Sequence, residues 1–392
     1  MVAALVLAAV SAAGLSVAGL SQRSPQGTVP PPVTIGAVPV PVPLTSTAFS
    51  FPAGYGLPHA LVADPAGAGV WFPAESASAV RLFHWNQATG SLTSIAVLSG
   101  PTVATTFYLG QGSVFAMQGS TAVIGTSTPA SGNSPLLLYV NTTSGAVRKL
   151  SLPAPEAGST ERDDRHVVQA ASIAPDGQVA YSLAAMPGVG IWTPTSNSFS
   201  AIAVPGGGDA DDLAFAPDGT LVMAVDGNGF GAPDQVAIST ASGGSTILGG
   251  VGGGLLATDA TGVLVRTADG VRQVFSSGAV TAPSITAPPT VNADAPVIET
   301  PAGRYVVATD SGVDIQGSAK AQTFRLPTSV QTCGYFYFPP AGNVLGWTPP
   351  PAGGSCTFPG FPVSLGVDAA DNIWIIASGA DQGMQLIPAG SY

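Results

Sequence analysis

Ala174-Pro175-Asp176-Gly177 returns as Ala216-Pro217-Asp218-Gly219, then as Asp259-Ala260-Thr261-Gly262 and Thr300-Pro301-Ala302-Gly303. Looser copies stand at Asp64-Pro65-Ala66-Gly67 and Asp368-Ala369-Ala370-Asp371-Asn372. Pro sets a turn-ready φ, Asp bonds backbone N–H groups ahead of it, and Gly accepts positive φ. Each copy also separates two short apolar runs, as Leu213–Ala216 and Leu221–Val225 flank the second. The phrase therefore reads as a tight turn between two strands. Its period is about 42 residues, and a fixed period of that size built from short strands points to a β-propeller.

One unit reads as four strands. For the third, these fall near Ala171–Ala174, Gln178–Leu183, Gly190–Thr193 and Phe199–Val204. Inner strands begin near His59, Thr105, Ala171, Leu213, Gly254, Val297 and Ser364, which makes seven blades. The expected fold is all-β, a seven-bladed propeller of four-stranded antiparallel blades over residues 45–392. The last repeat, Phe361–Ile387, holds only three strands. Thr47–Phe51 carries the outer-strand pattern and is expected to complete that blade. Such closure removes the two open sheet edges. Long connections at Ala154–Val168, Ser277–Ala295 and Thr328–Pro359 all join an outer strand to the next inner strand. They are expected to emerge on one face.

Composition agrees with this class. Of 392 residues, 50 are Gly and 36 are Pro, and only 8% are charged. That favours turns and strands over helices. The net charge is −11, and the only lysines are Lys149 and Lys320. No basic footprint for nucleic acid or an anionic membrane exists. Residues 1–21 are uncharged and apolar, as in a secretory signal or an anchor. Residues 22–44 form a Pro-rich linker. Secretion or exposure at the cell envelope is therefore expected, with membrane contact only through residues 1–21 if they are retained. Cys333 and Cys356 share one loop, and in an exported chain such a pair is expected to form a disulfide. The chain is expected to act as a monomer.

Gly56-Leu57-Pro58-His59-Ala60-Leu61 runs through Asp64-Pro65-Ala66-Gly67 into Val70-Trp71-Phe72. This stretch resembles the repeat of virginiamycin B lyase-type propellers, and Asp371-Asn372-Ile373-Trp374-Ile375 echoes its second half. NHL-type and gluconolactonase-like propellers share such repeats. The resemblance implies the propeller fold. For the lyases it also implies His and Glu acting late in the chain with magnesium. Here no His follows His166, so that part of the pattern has no counterpart.

Aligning the inner strands on the repeated turn gathers His59, Gln169, Asp211, Asp212, Asp294 and Ser364 near one ring at the channel mouth. These are the candidate ligand-binding residues. Asp209, Asp211, Asp212 and Asp294 are the candidate metal ligands, since calcium and magnesium are held by several carboxylate oxygens. His59, Asp211 and Asp212 are the candidates for proton transfer. The Asp residues can equally cap turns. Glu161-Arg162-Asp163-Asp164-Arg165-His166 is the densest charge cluster, and His84 is expected on the rim after a third strand. Tyr335–Phe338, Trp347 and Phe358 could pack the cysteine loop or present a surface to sugar or peptide. The expected function is a non-catalytic binding or scaffold module for a small molecule, glycan or protein on the long-loop face. The alternative is a metal-assisted lyase or lactonase.

Overall fold

The computed structural model describes residues 42–43, 52–56, 58, 60–100, 114–125, 136–152, 168–183, 187–204, 210–225, 235–239, 243–249, 251, 254, 256–267, 270–281, 296–309, 312–317, 322–326, 328–332, 355–359, 361–378 and 383–392. The first strand is β1, Val42–Pro43. Blade 1 holds β2 (Val62–Ala63), β3 (Gly69–Ser76), β4 (Ala79–Asn86) and β5 (Ser91–Ser99). Blade 2 holds β6 (Phe115–Gln118), β7 (Thr121–Gly125), β8 (Leu136–Asn141) and β9 (Val147–Ser151). Blade 3 holds β10 (Val168–Ile173), β11 (Val179–Leu183), β12 (Val189–Thr193) and β13 (Ser198–Ile202). Blade 4 holds β14 (Ala210–Phe215), β15 (Leu221–Val225), β16 (Gln235–Ser239) and β17 (Ser245–Ile247). Blade 5 holds β18 (Leu256–Thr258), β19 (Val263–Thr267) and β20 (Gly270–Val274). Blade 6 holds β21 (Val297–Glu299), β22 (Tyr305–Thr309), β23 (Gly312–Gln316) and β24 (Gln322–Arg325). A hairpin of β25 (Thr328–Thr332) and β26 (Ser355–Pro359) follows. Blade 7 holds β27 (Phe361–Val367), β28 (Ile373–Ser378) and β29 (Gly383–Ile387).

The seven-bladed propeller expected from the repeat is the observed fold. Each blade is an antiparallel meander, and its first strand touches the first strand of the next blade. That contact runs from β2 through β6, β10, β14, β18 and β21 to β27, and β27 returns to β2. In blade 2 the first described strand begins at Phe115, further along than the start expected near Thr105, which lies outside the described residues. Among the described residues there is no helix, and so none long and apolar enough to cross a membrane.

The repeated turns explain the regularity. Asp176 Oδ1 accepts from Gln178 N at 3.0 Å, and Asp218 Oδ1 accepts from Thr220 N at 3.0 Å. Gly177 and Gly219 both stand at φ 87°, a conformation that only Gly adopts without strain. Beyond each turn, strand alternation sends one set of side chains to the preceding blade and the other set to the following one. The core is accordingly a series of apolar seams. Val179, Tyr181 and Leu183 pack with blade 2, whereas Ala180 packs with blade 4. Every pair of neighbouring blades shares such a cluster, blades 7 and 1 included.

The expected closing strand, Thr47–Phe51, lies outside the described residues. Those residues do contain a direct seam between blades 7 and 1. Phe72 and Ala74 pack with Trp374 and Ile376 there, and Gly69 N donates to Asp368 Oδ2 at 3.0 Å. Val42–Pro43, at the end of the stretch read as linker, runs parallel to β24 and adds a strand to blade 6. The expected insertion between blades 6 and 7 is the site of the β25–β26 hairpin.

Candidate functional site

Three inner strands carry the same irregularity. In β10 the ladder passes over Gln169: Val168 faces Leu183 and Ala170 faces Ser182. In β14 it passes over Asp211, with Ala210 facing Val225 and Asp212 facing Ala224. In β27 it passes over Val363, with Pro362 facing Ala377 and Ser364 facing Ile376. Gln169, Asp211 and Val363 precede Ala174, Ala216 and Asp368 by the same interval. The bulge therefore belongs to the repeat. A bulge releases one residue from pairing and re-aims its side chain.

The structure brings two of the candidates together. Gln169 Nε2 donates to Asp211 Oδ1, joining the bulges of blades 3 and 4. Asp211 is exposed, and the Oε1 of Gln169 is buried without a partner. Asp212 and Ser364 come next after a bulge residue, and both reach across a seam. Asp212 Oδ2 accepts from Leu256 N of blade 5 at 2.8 Å, and its Oδ1 accepts from Leu213 N at 2.8 Å. Ser364 Oγ accepts from Leu61 N at 3.1 Å, which ties blade 7 to blade 1. Leu256 and Leu61 occupy equivalent positions before Asp259 and Asp64. Both side chains, expected near the mouth, thus perform one positional task in different blades. His59, Asp209 and Asp294 lie outside the described residues, as do Glu161–His166 and Cys333. Of Cys356 only the backbone is described, paired with Gln331.

Burial pushes the Asp212 carboxyl up to about 6, against the lowering effect of the Leu256 and Leu213 N–H groups. An unfolded Asp titrates near 3.9, so the folded chain holds this proton more tightly. The resulting stabilisation is complete below about pH 4 and is lost as pH rises through the folded value. Unfolding free energy is expected to fall by on the order of 2 kcal/mol from this group between about pH 4 and pH 7. Asp212→Asn should lack that part of the slope. Urea denaturation of both proteins across the range checks it, and identical slopes would defeat the assignment.

Sequence reasoning missed two arrangements. His84 lies inside β4 rather than after it. Its Nε2 bonds Asp64 Oδ2 at 2.9 Å, and its ring stacks on Trp71 at 4.2 Å. Asp368 is buried to 1% exposure. It accepts from Gly69 N, Ala370 N, Asn372 N, Asn372 Nδ2 and Trp374 Nε1, the last at 2.8 Å. The available signal was an Asp at the first position of a turn copy, where Ala174 and Ala216 stand elsewhere. Among the described residues, no three His, Cys, Asp or Glu side chains converge as metal ligands would.

No protein-family model matches this chain, and no curated protein matches its sequence. Solved structures do match. A streptogramin B lyase superposes at TM-score 0.56 with 10% identity, over 88% of this chain and 96% of that one. The chain shares its fold with the virginiamycin B lyases. A catalytically inactive virginiamycin B lyase from Staphylococcus aureus, solved with quinupristin, matches at TM-score 0.55 with 11% identity, over 87% and 98% of the two chains. Kuenenia stuttgartiensis hydrazine synthase matches at TM-score 0.51 with 12% identity, over 91% and 99%. Proteins of such different names on one fold leave function to be argued from the site.

Proposed function

We propose that this protein is an exported or envelope-exposed binding module. Its ligand sits over the central channel, on the face where the long inter-blade connections emerge. The observation that supports this reading is the bridge between the bulges of Gln169 and Asp211. It holds an exposed carboxylate beside an unpartnered amide oxygen at the ends of the inner strands where the chain enters blades 3 and 4. Polar groups converging at the bottom of a loop-walled depression are the usual make-up of a binding site. The turns at the opposite ends are short and bonded to themselves, as at Ala174–Gly177. They offer little to wall a pocket.

Calcium and magnesium titrations followed by thermal unfolding test the reading against the lyase or lactonase alternative. For a binding module without metal chemistry, neither ion shifts the melting temperature. A rise of several degrees, abolished by Asp211→Ala with Asp212→Ala, would favour the metal-assisted enzyme. The loop between blades 6 and 7 belongs to the same face on this reading. Thr332 pairs with Ser355, so β25 ends beside Cys333 in sequence, opposite the strand that carries Cys356. A Cys333–Cys356 disulfide is expected in the exported protein. Peptide mapping without reduction checks it, and two alkylatable thiols would refute it.

A further inference from the structure

Arg266 stands where the other blades avoid charge. Val263 is the first residue of β19 to pair with the inner strand, as Val179, Leu221, Tyr305 and Ile373 are in blades 3, 4, 6 and 7. Three residues on, those blades carry Ser182, Ala224, Ala308 and Ile376, all buried. Blade 5 carries Arg266, which is 1% exposed. Its Nε, Nη1 and Nη2 are buried and none has a hydrogen-bond partner. A guanidinium keeps its proton in proteins, and a buried charge is strongly disfavoured unless it is paired.

Val263 and Val265 pack with blade 4, whereas Leu264 packs with Val297 and Val307 of blade 6. Alternation puts Arg266 on the Leu264 side, in the seam between blades 5 and 6. Gly254 N donates to Arg266 O at 3.1 Å, so the arginine lies at the end of blade 5 away from its Asp259 turn. The carboxylates described on this seam lie elsewhere. Asp259 and Glu299 sit at the turn end, and Asp314 Oδ1 accepts from Thr323 Oγ1 at 2.7 Å. Among the described residues β18 has 3 residues, as β21 does, where β10 and β14 have 6, and Gly254 adds no side chain.

We propose that Arg266 anchors a binding site for a small carboxylate anion, at the entry end of the seam between blades 5 and 6. The planar fork of Arg matches the two oxygens of a carboxylate in a bidentate pair. The site is independent of the Gln169–Asp211 bridge, which joins blades 3 and 4, so either can fail without the other.

The test uses the whole chain with acetate as the probe. Thermal unfolding is followed against sodium acetate, with sodium chloride at matched ionic strength as reference. Variants are Arg266→Met, which fills the space without charge, and Arg266→Ala, the residue found at this position in blades 4 and 6. Acetate is expected to raise the wild-type melting temperature by several degrees in a saturable way, beyond chloride. Both variants should lose that response, and Arg266→Met should melt above wild type in the absence of acetate. If the variants do not fold, the wild-type arginine Nε–H resonances still report, with one expected to shift saturably with acetate. Equal responses of wild type and Arg266→Met would overturn the proposal. So would an unresponsive wild type whose stability falls alike in Arg266→Met and Asp294→Asn, since that marks an internal carboxylate partner.

Discussion

Asp368→Ala is expected to lower the free energy of unfolding by about 4 kcal/mol, because it leaves several buried donors without an acceptor. The donors are Gly69 N, Asn372 N, Asn372 Nδ2 and Trp374 Nε1, and each is bonded only because this carboxylate lies among them. Water can reach some of the space left by the side chain, which holds the cost below the full sum of the separate bonds. The position adds to the effect. Asp368 and Gly69 are separated by 299 residues, so this bond joins the last blade to the first. Losing it weakens the seam whose opening converts a ring into an open array with two free edges. Asp368→Asn keeps one acceptor but turns an amide N–H₂ toward donors, and most of the loss should remain. Equilibrium denaturation measures both. A loss under about 1 kcal/mol for Asp368→Ala would mean the seam closes without the carboxylate.

How much of this was legible in the sequence depends on whether the information was periodic. The strands of blade 3 were readable to within a few residues: Gly190–Thr193 was expected and Val189–Thr193 is found. Turn chemistry and alternation carry that information locally. The ring of candidates was legible only in part. Gln169 and Asp211 meet, as alignment on the turn suggested. Asp212 and Ser364 instead bond the next blade, because each follows a bulge. A bulge inserts one residue, and one residue reverses which side of a strand every later side chain faces. Composition and periodicity do not announce that insertion. The looser turn copies held a second hidden signal. In Asp64, Asp259 and Asp368 the carboxylate has moved to the first position of the turn. It still caps its own turn, through Ala66 N, Thr261 N and Ala370 N. Its other oxygen is then free to reach His84, Gln273 or Gly69. What looks like decay of the repeat is a change from a turn former to a turn former with a second partner.

Trp192→Ala is expected to cost about 4 kcal/mol, the usual penalty for emptying a large buried aromatic site. Trp192 is fully buried in the seam between blades 2 and 3, beside Val179, Tyr181 and Leu183. Three specific contacts add to its area. Tyr139 of blade 2 meets it edge to face at 5.1 Å, and the Arg148 guanidinium lies 5.0 Å above its ring. Its indole N–H donates to Asn197 Oδ1 at 3.2 Å. Asn197 itself stands at φ 54° in the β12–β13 turn, so the indole bond also stabilises a backbone conformation that most residues resist. Trp192→Phe should recover more than half of the loss, because the ring still fills the seam while the Asn197 bond goes. Arg148→Ala should cost only about 1 kcal/mol, the scale of a cation–π contact near the surface. Denaturation of the three variants ranks these contributions. If Arg148→Ala matched Trp192→Ala, the seam would be held by the cation rather than by burial of the indole.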